Sequence, residues 1–306
     1  MLKRPRLVAL LGPTASGKSS LALQLARDLG LEIVNCDSRQ VYREMDIGTA
    51  KATPAERSAV PHHLLDLVSP AEPFSAGDYL RAARPCLENL WRAGRVPLLV
   101  GGTGFYFDAL QHGLPEVPAD EGGQERWQAR LDAEGLPALV DELRRRDPEG
   151  AARIDLANPR RVLRALAIIE ATGGPLAAAH RRTGAVDAEF LVLVGTRPRQ
   201  DLWERIRHRV GEMVAAGLPD EAKRLLAAYG PSAPGLRAIG YAEWEPFVQG
   251  AIDADEVVRQ IVIHTRQYAK RQETWFRKRP GVPLLAFDDP SLPGRLAADI
   301  SRFLAG

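Results

Sequence analysis

Eight consecutive residues, Gly12, Pro13, Thr14, Ala15, Ser16, Gly17, Lys18 and Ser19, spell the pattern G-x-x-x-x-G-K-S of a phosphate-binding loop. Its glycines let backbone N–H groups turn inward around anionic oxygens, and the N-terminus of a following helix adds partial positive charge. The Lys18 ammonium neutralises two neighbouring phosphates, Thr14 and Ser16 add hydroxyl donors, and the Ser19 hydroxyl suits a Mg²⁺ ion. A loop of this kind recognises a diphosphate without naming the rest of the molecule. A nucleotide kinase, a GTPase and any enzyme with a diphosphate leaving group could all use it. Two marks of nucleotide chemistry are missing. The run Pro-Leu-Leu-Val-Gly-Gly at 97–102 ends in glycines where a hydrolase carries an aspartate for Mg²⁺, and no NKxD motif for base recognition occurs.

A second candidate is Asp37, at the end of the run Leu-Glu-Ile-Val-Asn-Cys-Asp-Ser. Ligands of open parallel sheets bind beyond the carboxyl ends of the strands, so Asp37 and the loop should share one crevice. A carboxylate there can act as a general base or hold Mg²⁺. Asp37 or Ser38 could equally cap a helix over Arg39–Met45, and the residues alone leave both readings open. Thr103, after the Gly-Gly pair, reads by itself as the cap of a following helix. His62, His63 and Asp66 are not expected to hold a metal, because adjacent histidines diverge. Asp288 and Asp289 read as a turn.

These residues need elements to position them. Apolar runs at 6–12, 31–36, 97–102 and 190–196 alternate with helical patterns, which predicts a parallel sheet flanked by helices. The first helix, over Ser19–Leu29, closes at Gly30. Residues 114–188 show no convincing strand and are rich in Arg, Glu, Asp and Ala. The expected organisation is therefore an α/β core of residues 1–113 and 189–306, interrupted by a helical insertion of residues 114–188. Within the insertion, Asn158 should cap a helix that has Pro159 at its first position. Arg160, Arg161 and Arg164 fall on one side of that helix, opposite Val162, Leu163, Leu166 and Ile169. An arginine face can grip RNA phosphates or simply face solvent. The stretch 264–280 is the most basic of the chain, with Tyr268, Trp275 and Phe276 interleaved, and it suits an RNA groove or an amphipathic helix.

The chain has 306 residues, 45% of them hydrophobic and 26% charged, which is the composition of a globular protein able to bury a full core. The net charge of +2 neither demands nor excludes a nucleic-acid partner. No apolar run approaches the ~20 residues of a membrane span. Cys36 and Cys86, the two cysteines, match neither a zinc spacing nor a disulfide framework, so a reducing, cytoplasmic setting is expected.

Several blocks occur together and in order: GPTASGKS, DSRQVYREMDIGTAK, PHHLLD, FSAGDY, PLLVGGTGFYFDAL, NPRRVLRALAI, GLRAIGYAEW and TRQYAKRQETWFR. Taken together they resemble the bacterial tRNA dimethylallyltransferases, over nearly the whole chain. The resemblance implies a P-loop NTPase-like α/β core with a central parallel sheet and an inserted all-helical tRNA-binding domain. It implies transfer of a dimethylallyl group from dimethylallyl diphosphate to the exocyclic amine of the adenosine immediately 3′ of the anticodon, in tRNAs reading codons that begin with U. Mg²⁺ is the implied cofactor, the anticodon stem-loop the implied partner, and a monomer the implied state. Asp37 would take the amine proton, and Thr103 would contact the target nucleotide. Contacts to tRNA would come from Asp37, Ser38, Arg39, Gln40, Thr103, Arg126, Arg160, Arg161, Val162, Leu163, Arg164, Arg237, Gly240, Tyr241, Gln267 and Arg271. The alternative class is a small-molecule or nucleotide kinase built on the same loop.

Overall fold

Apolar runs without polar alternation belong inside a parallel sheet that is covered on both faces. The computed structural model of the chain describes residues 4–116, 123–177, 182–279 and 281–306. In it β1 (Arg6–Leu11), β2 (Glu32–Asn35), β3 (His62–His63), β4 (Pro97–Gly101), β7 (Glu189–Thr196) and β8 (Leu284–Ala286) form one sheet in the order β3-β2-β4-β1-β7-β8. Every pairing is parallel. The early strands lie to one side of β1 and the late strands to the other, so the topology switches at β1. The crevice at such a point is where open α/β sheets bind ligands.

The chain divides into two compact units, Met1–Asp108 with Asp187–Gly306, and Ala109–Val186. In the first unit α1 (Lys18–Leu29) and α12 (Leu292–Ala305) pack Leu25, Ala26, Leu296 and Ile300 against Val8, Leu10, Leu98 and Val100. Gly30 ends α1 in the left-handed conformation expected of it. The other helices of this unit are α2 (Pro54–Ala59), α3 (Ala76–Arg92), α8 (Arg199–Ala215), α9 (Leu218–Tyr229), α10 (Glu245–Val248) and α11 (Ala254–Arg277). Tyr79 and Trp91 of α3 donate to the backbone carbonyls of Asn35 and Arg6, which ties α3 to the sheet. A further apolar cluster joins Ile206, Leu225, Tyr241, Trp244 and Ile261 to Val41, Tyr42 and Met45.

Residues 39–45 are not a helix. Leu67 and Arg43 donate backbone N–H groups to Val41 and Val68, and Tyr42 bridges Val68, so this segment pairs with residues 66–68 instead. Burial of Val41, Tyr42 and Met45 in the cluster above outweighs the local helical pattern.

α4 (Gly104–His112) begins beside the sheet. The second unit holds α5 (Gly123–Arg146), broken at Gly135, with α6 (Pro148–Arg153) and α7 (Pro159–Thr172). Trp127, Leu139, Leu143, Val162, Leu163 and Leu166 form its core. It also contains strands the sequence did not suggest. The two-residue β5 (Leu114–Pro115) and β6 (Arg182–Thr183) pair antiparallel, and Val186 donates to the Leu110 carbonyl at 2.8 Å. That pairing explains why residues 109–113 group with this unit. Asn158 stands at the N-cap of α7 without a side-chain capping bond, and Pro159 at the first position leaves one fewer N–H to cap.

One close approach fixes the site. A Cβ on Gly101 would overlap the backbone carbonyl of Cys36, so β2 and β4 meet at their carboxyl ends only because that side chain is missing. Gly101→Ala is expected to force the strand ends apart and to cost about 1–3 kcal/mol. A denaturant midpoint equal to that of the wild type would show that the approach is not required.

Candidate active site

Gly12–Gly17 joins β1 to α1. A Cβ on Gly12 would stand 2.9 Å from the Gly195 carbonyl oxygen, and Ala15 and Gly17 have φ of 61° and 96°. Gly17 is the N-cap of α1 and supplies no side-chain bond, so the first N–H groups of the helix stay available to an anion. The loop carbonyls are engaged. Pro13 O accepts from Lys18 Nζ at 3.1 Å, Ala15 O from Arg205 Nε at 2.9 Å and Ser16 O from Arg197 Nε at 2.7 Å. Arg209 Nη1 donates to Thr14 Oγ1 at 3.3 Å. Arg197 is itself held by Asp201 at 2.6 Å and the Phe287 carbonyl at 2.8 Å. The Ser16 hydroxyl is buried without a hydrogen-bond partner, the state of a group that waits for a ligand. Burial lowers the Lys18 ammonium to about 8; the Asp37 charge pulls the other way, and Arg209 adds to the lowering.

Asp37 and Thr103 come together because Cys36 and Thr103 follow the touching ends of β2 and β4. Thr103 N donates to Cys36 O at 3.2 Å. The Thr103 hydroxyl accepts from Ser38 N at 3.0 Å, so it reaches across to the neighbouring strand end. Asp37 Oδ1 accepts from Arg39 N at 2.8 Å, and Asn35 Oδ1 accepts from Asp37 N at 3.0 Å. The carboxylate thus closes a turn and caps no helix. Among the described residues no donor engages Asp37 Oδ2.

Two adjoining cavities open on Asp37 and the phosphate loop. One, of about 130 Å³, is lined by Lys18, Ser19, Asp37, Gln40 and Gly101. The other, of about 340 Å³, is lined by Asp37, Arg39, Arg237, Gly240, Tyr268 and Arg271, with Ile206, Val210, Met213, Ile239 and Ile261 as apolar wall. Thr14, Asp37, Thr49 and Arg209 border both. Burial, with the Asp37 charge adding, pushes the Tyr268 hydroxyl up to about 12, so it stays a neutral donor.

The segment 38–51 is anchored from below. Lys51 is buried and donates to Tyr42 O, Asp46 Oδ1 and Asp66 Oδ1 at 2.7, 2.6 and 2.6 Å. The Glu221 carboxylate accepts from the N–H groups of Ile47 and Gly48 and from the Tyr241 hydroxyl. Gln40 donates to the carbonyls of Thr49 and Ala50. His63 bonds Glu32 and His62 bonds the Val60 carbonyl, while Asp66 serves Lys51 and Arg57. Asp289 accepts from Ser291 in a turn.

The structure corrects three of the expected tRNA contacts. Tyr241 is fully buried with its hydroxyl on Glu221, so it supports the fold of the loop and offers no surface. Val162 and Leu163 lie in the core of the helical unit and cannot meet RNA. Their neighbours Arg160, Arg161 and Arg164 are exposed on α7, as is Gln267 on α11. Arg126 is exposed and pairs with Glu170 at 3.5 Å. Sequence reasoning missed Arg197, Arg205, Arg209 and Gln272. The i,i+4 spacing of Arg205 and Arg209, both on α8, was a usable signal. Gln272 gave none; it is buried, and its Oε1 accepts from Thr14 N at 2.9 Å.

Comparison with known proteins matches residues 40–279 to the IPP transferase family and residues 5–66 to an isopentenyl transferase family. The chain is 47% identical to a tRNA dimethylallyltransferase of Syntrophobacter fumaroxidans, over 89% of this chain and 81% of that protein. A solved tRNA isopentenylpyrophosphate transferase from Bacillus halodurans superimposes with a TM-score of 0.71 at 39% identity, over 99% of this chain and 96% of that one. A eukaryotic dimethylallyltransferase crystallised acting on tRNA gives 0.85 at 26% identity, over 98% of this chain and 80% of that one. With a phosphate loop at the β1 switch point and likeness along almost its whole length, this chain belongs to the IPP transferase family.

Proposed function

We propose that this protein transfers the dimethylallyl group of dimethylallyl diphosphate to the exocyclic N6 amine of the adenosine immediately 3′ of the anticodon, in tRNAs reading codons that begin with U, and releases diphosphate. The observation that carries this reading is one cavity system bordered by both the phosphate loop and Asp37, in a chain whose relatives are named tRNA dimethylallyltransferases. The adenine amine is a weak nucleophile because its lone pair is delocalised into the ring. It must shed a proton as the new C–N bond forms, and Asp37 Oδ2 is the acceptor. As the allylic C–O bond breaks, negative charge grows on the diphosphate. Lys18, the loop N–H groups, the Ser16 hydroxyl and Arg209 are set to stabilise it before the reaction begins. Thr103 holds the target nucleotide beside Asp37.

Among the described residues no cluster of acidic or histidine side chains stands ready to hold a metal alone. A Mg²⁺ ion keeps most of its waters and takes few protein ligands beside phosphate oxygens, and Ser19 at the cavity wall fits that part. When bound, the ion would neutralise charge on the departing diphosphate. The kinase reading is less favoured, since β4 ends in Gly101 and is followed by Gly102, with no aspartate there for phosphoryl transfer.

The target base has to leave its stack to reach a crevice between strand ends, at a cost of a few kcal/mol that a single-stranded loop reduces. Arg39, Arg237 and Arg271 at the cavity and the exposed Arg160, Arg161 and Arg164 of the helical unit supply positive charge for the anticodon stem-loop. Among the described residues no helix is long and apolar enough to cross a membrane. Cys36 and Cys86 are free thiols, which suits a cytoplasmic enzyme.

The direct test is the mass of an anticodon stem-loop after incubation with dimethylallyl diphosphate and Mg²⁺; an unchanged mass refutes the assignment. Asp37→Ala is expected to lower single-turnover rate by about 10²–10⁴-fold with little change in tRNA affinity, and a near-normal rate would remove Asp37 from proton transfer. Lys18 must be charged to hold a diphosphate. Pyrophosphate affinity should therefore fall as pH rises through about 8, relative to Lys18→Arg, which does not titrate there; parallel pH profiles would contradict this. Replacing Arg160 and Arg161 together by Ala should reduce the slope of log affinity for tRNA against log salt by about one to two. An identical slope would mean that these arginines do not meet phosphates.

A further inference from the structure

Gln272 lies on α11, far in sequence from the phosphate loop, yet it joins that loop to the end of β4. The ladder between β1 and β4 ends at the pair Leu11 and Gly101. Past that pair the carboxamide of Gln272 bridges the two chains. Its Oε1 accepts from Thr14 N at 2.9 Å, and its Nε2 donates to Gly102 O at 2.8 Å. A primary amide offers the same acceptor and donor as a peptide group, so the side chain adds one more rung between β1 and β4. It is buried, 6% exposed. Gly102 leaves room for it: a Cβ there would stand 2.2 Å from Gln272 Nε2. Thr14 borders both cavities, and Gly102 immediately precedes Thr103.

We propose that Gln272 is a positioning residue for the group transfer: by bridging Thr14 and Gly102 it fixes the phosphate loop, which holds the departing diphosphate, relative to Thr103 and Asp37, which hold the attacking amine. The inference rests on the function proposed above. In that reaction the C–N bond forms as the C–O bond to diphosphate breaks, so the two reactants are held by different strand ends and have to meet in line. Thr103 and Asp37 are already tied together, since Thr103 N donates to Cys36 O and the Thr103 hydroxyl accepts from Ser38 N. The loop follows β1 and needs its own link to that pair. Gln272 supplies it through backbone groups alone. A buried N–H and C=O left without partners are costly, so a side chain that cannot bridge them lets loop and strand end shift apart. A misplacement of about 1 Å can cost about 10²-fold in rate.

The experiment measures the single-turnover rate of prenylation of an anticodon stem-loop at saturating dimethylallyl diphosphate and Mg²⁺, with the full-length protein. Gln272→Met keeps the volume and loses both bonds. Its saturated rate should fall about 10²-fold, while the affinities for stem-loop and for inorganic pyrophosphate change little. Gln272→Glu is the paired variant. Its protonated carboxyl can accept from Thr14 N and donate to Gly102 O, whereas its carboxylate has no hydrogen for Gly102 O. Its rate relative to wild type should therefore be highest at low pH and fall as pH rises. A wild-type saturated rate in Gln272→Met, or a loss confined to affinity, overturns the proposal. So does a Gln272→Glu to wild-type ratio that does not change with pH, and that profile decides alone if Gln272→Met does not fold. Failure of the wild type to change the stem-loop mass overturns the proposed function, and this inference with it, before any variant is compared.

Discussion

The site depends on two strand ends lying closer than side chains allow. In a parallel sheet the carboxyl ends of β1, β2 and β4 share one edge, but they do not on that account touch. Gly101 lets β4 press on the Cys36 carbonyl, and the backbone bond from Thr103 to Cys36 then locks the contact. From that point the chain runs to Asp37 and Ser38 on one side and to Thr103 and α4 on the other. The hydroxyl of Thr103 meets Ser38 N–H because nothing separates the two strand ends. A base aligned with a carboxylate and a hydroxyl needs such a fixed pair.

Charge is concentrated on the other side of the same crevice. Arg197 and Arg205 hold loop carbonyls, Arg209 holds the Thr14 hydroxyl, and Lys18 waits on the Pro13 carbonyl. Packing several cations into one partly buried place raises the cost of keeping each charged. Burial is the main cause of the lowered Lys18 ammonium; Asp37 offsets part of it, and the Arg209 charge adds to it. The same loop serves phosphoryl transfer in other proteins, and a shared fold leaves the chemistry open. Here the chemistry is narrowed by what borders the loop: glycines at the end of β4, a carboxylate beyond β2 and an apolar wall formed by Ile206, Val210, Met213 and Ile261.

Irregular backbone between 38 and 51 carries Arg39, Gln40 and Thr49 to the cavity rim. Such a segment holds its shape only if its polar groups are satisfied. Buried Lys51 gathers Asp46, Asp66 and the Tyr42 carbonyl, and Glu221 gathers the N–H groups of Ile47 and Gly48. Tyr241 completes the second anchor. Family likeness places that tyrosine among RNA contacts, but its buried ring and engaged hydroxyl make it a support. Val162 and Leu163 differ from expectation for a related reason: only one face of α7 is exposed, and these two fill the other.

By itself the sequence determined the four central strands β1, β2, β4 and β7, the phosphate loop with its following helix, the helical insertion and the arginine face of α7. Each is encoded locally, by apolar runs, by glycine and lysine at fixed spacing, or by a period near 3.6 residues. It also marked Asp37 as a resident of the crevice, since strand ends in such sheets face ligands. Tertiary structure alone decided whether Asp37 caps a helix or faces a cavity, because residues 39–45 pair with 66–68 through contacts that no local pattern encodes. It alone brought Arg197, Arg205 and Arg209 to the loop, and it alone set Gln272 against Thr14 across a sequence separation of 258 residues. A hydrogen bond at that separation leaves no trace in periodicity or spacing. It exists only when the sheet and α11 have folded around the same few ångströms.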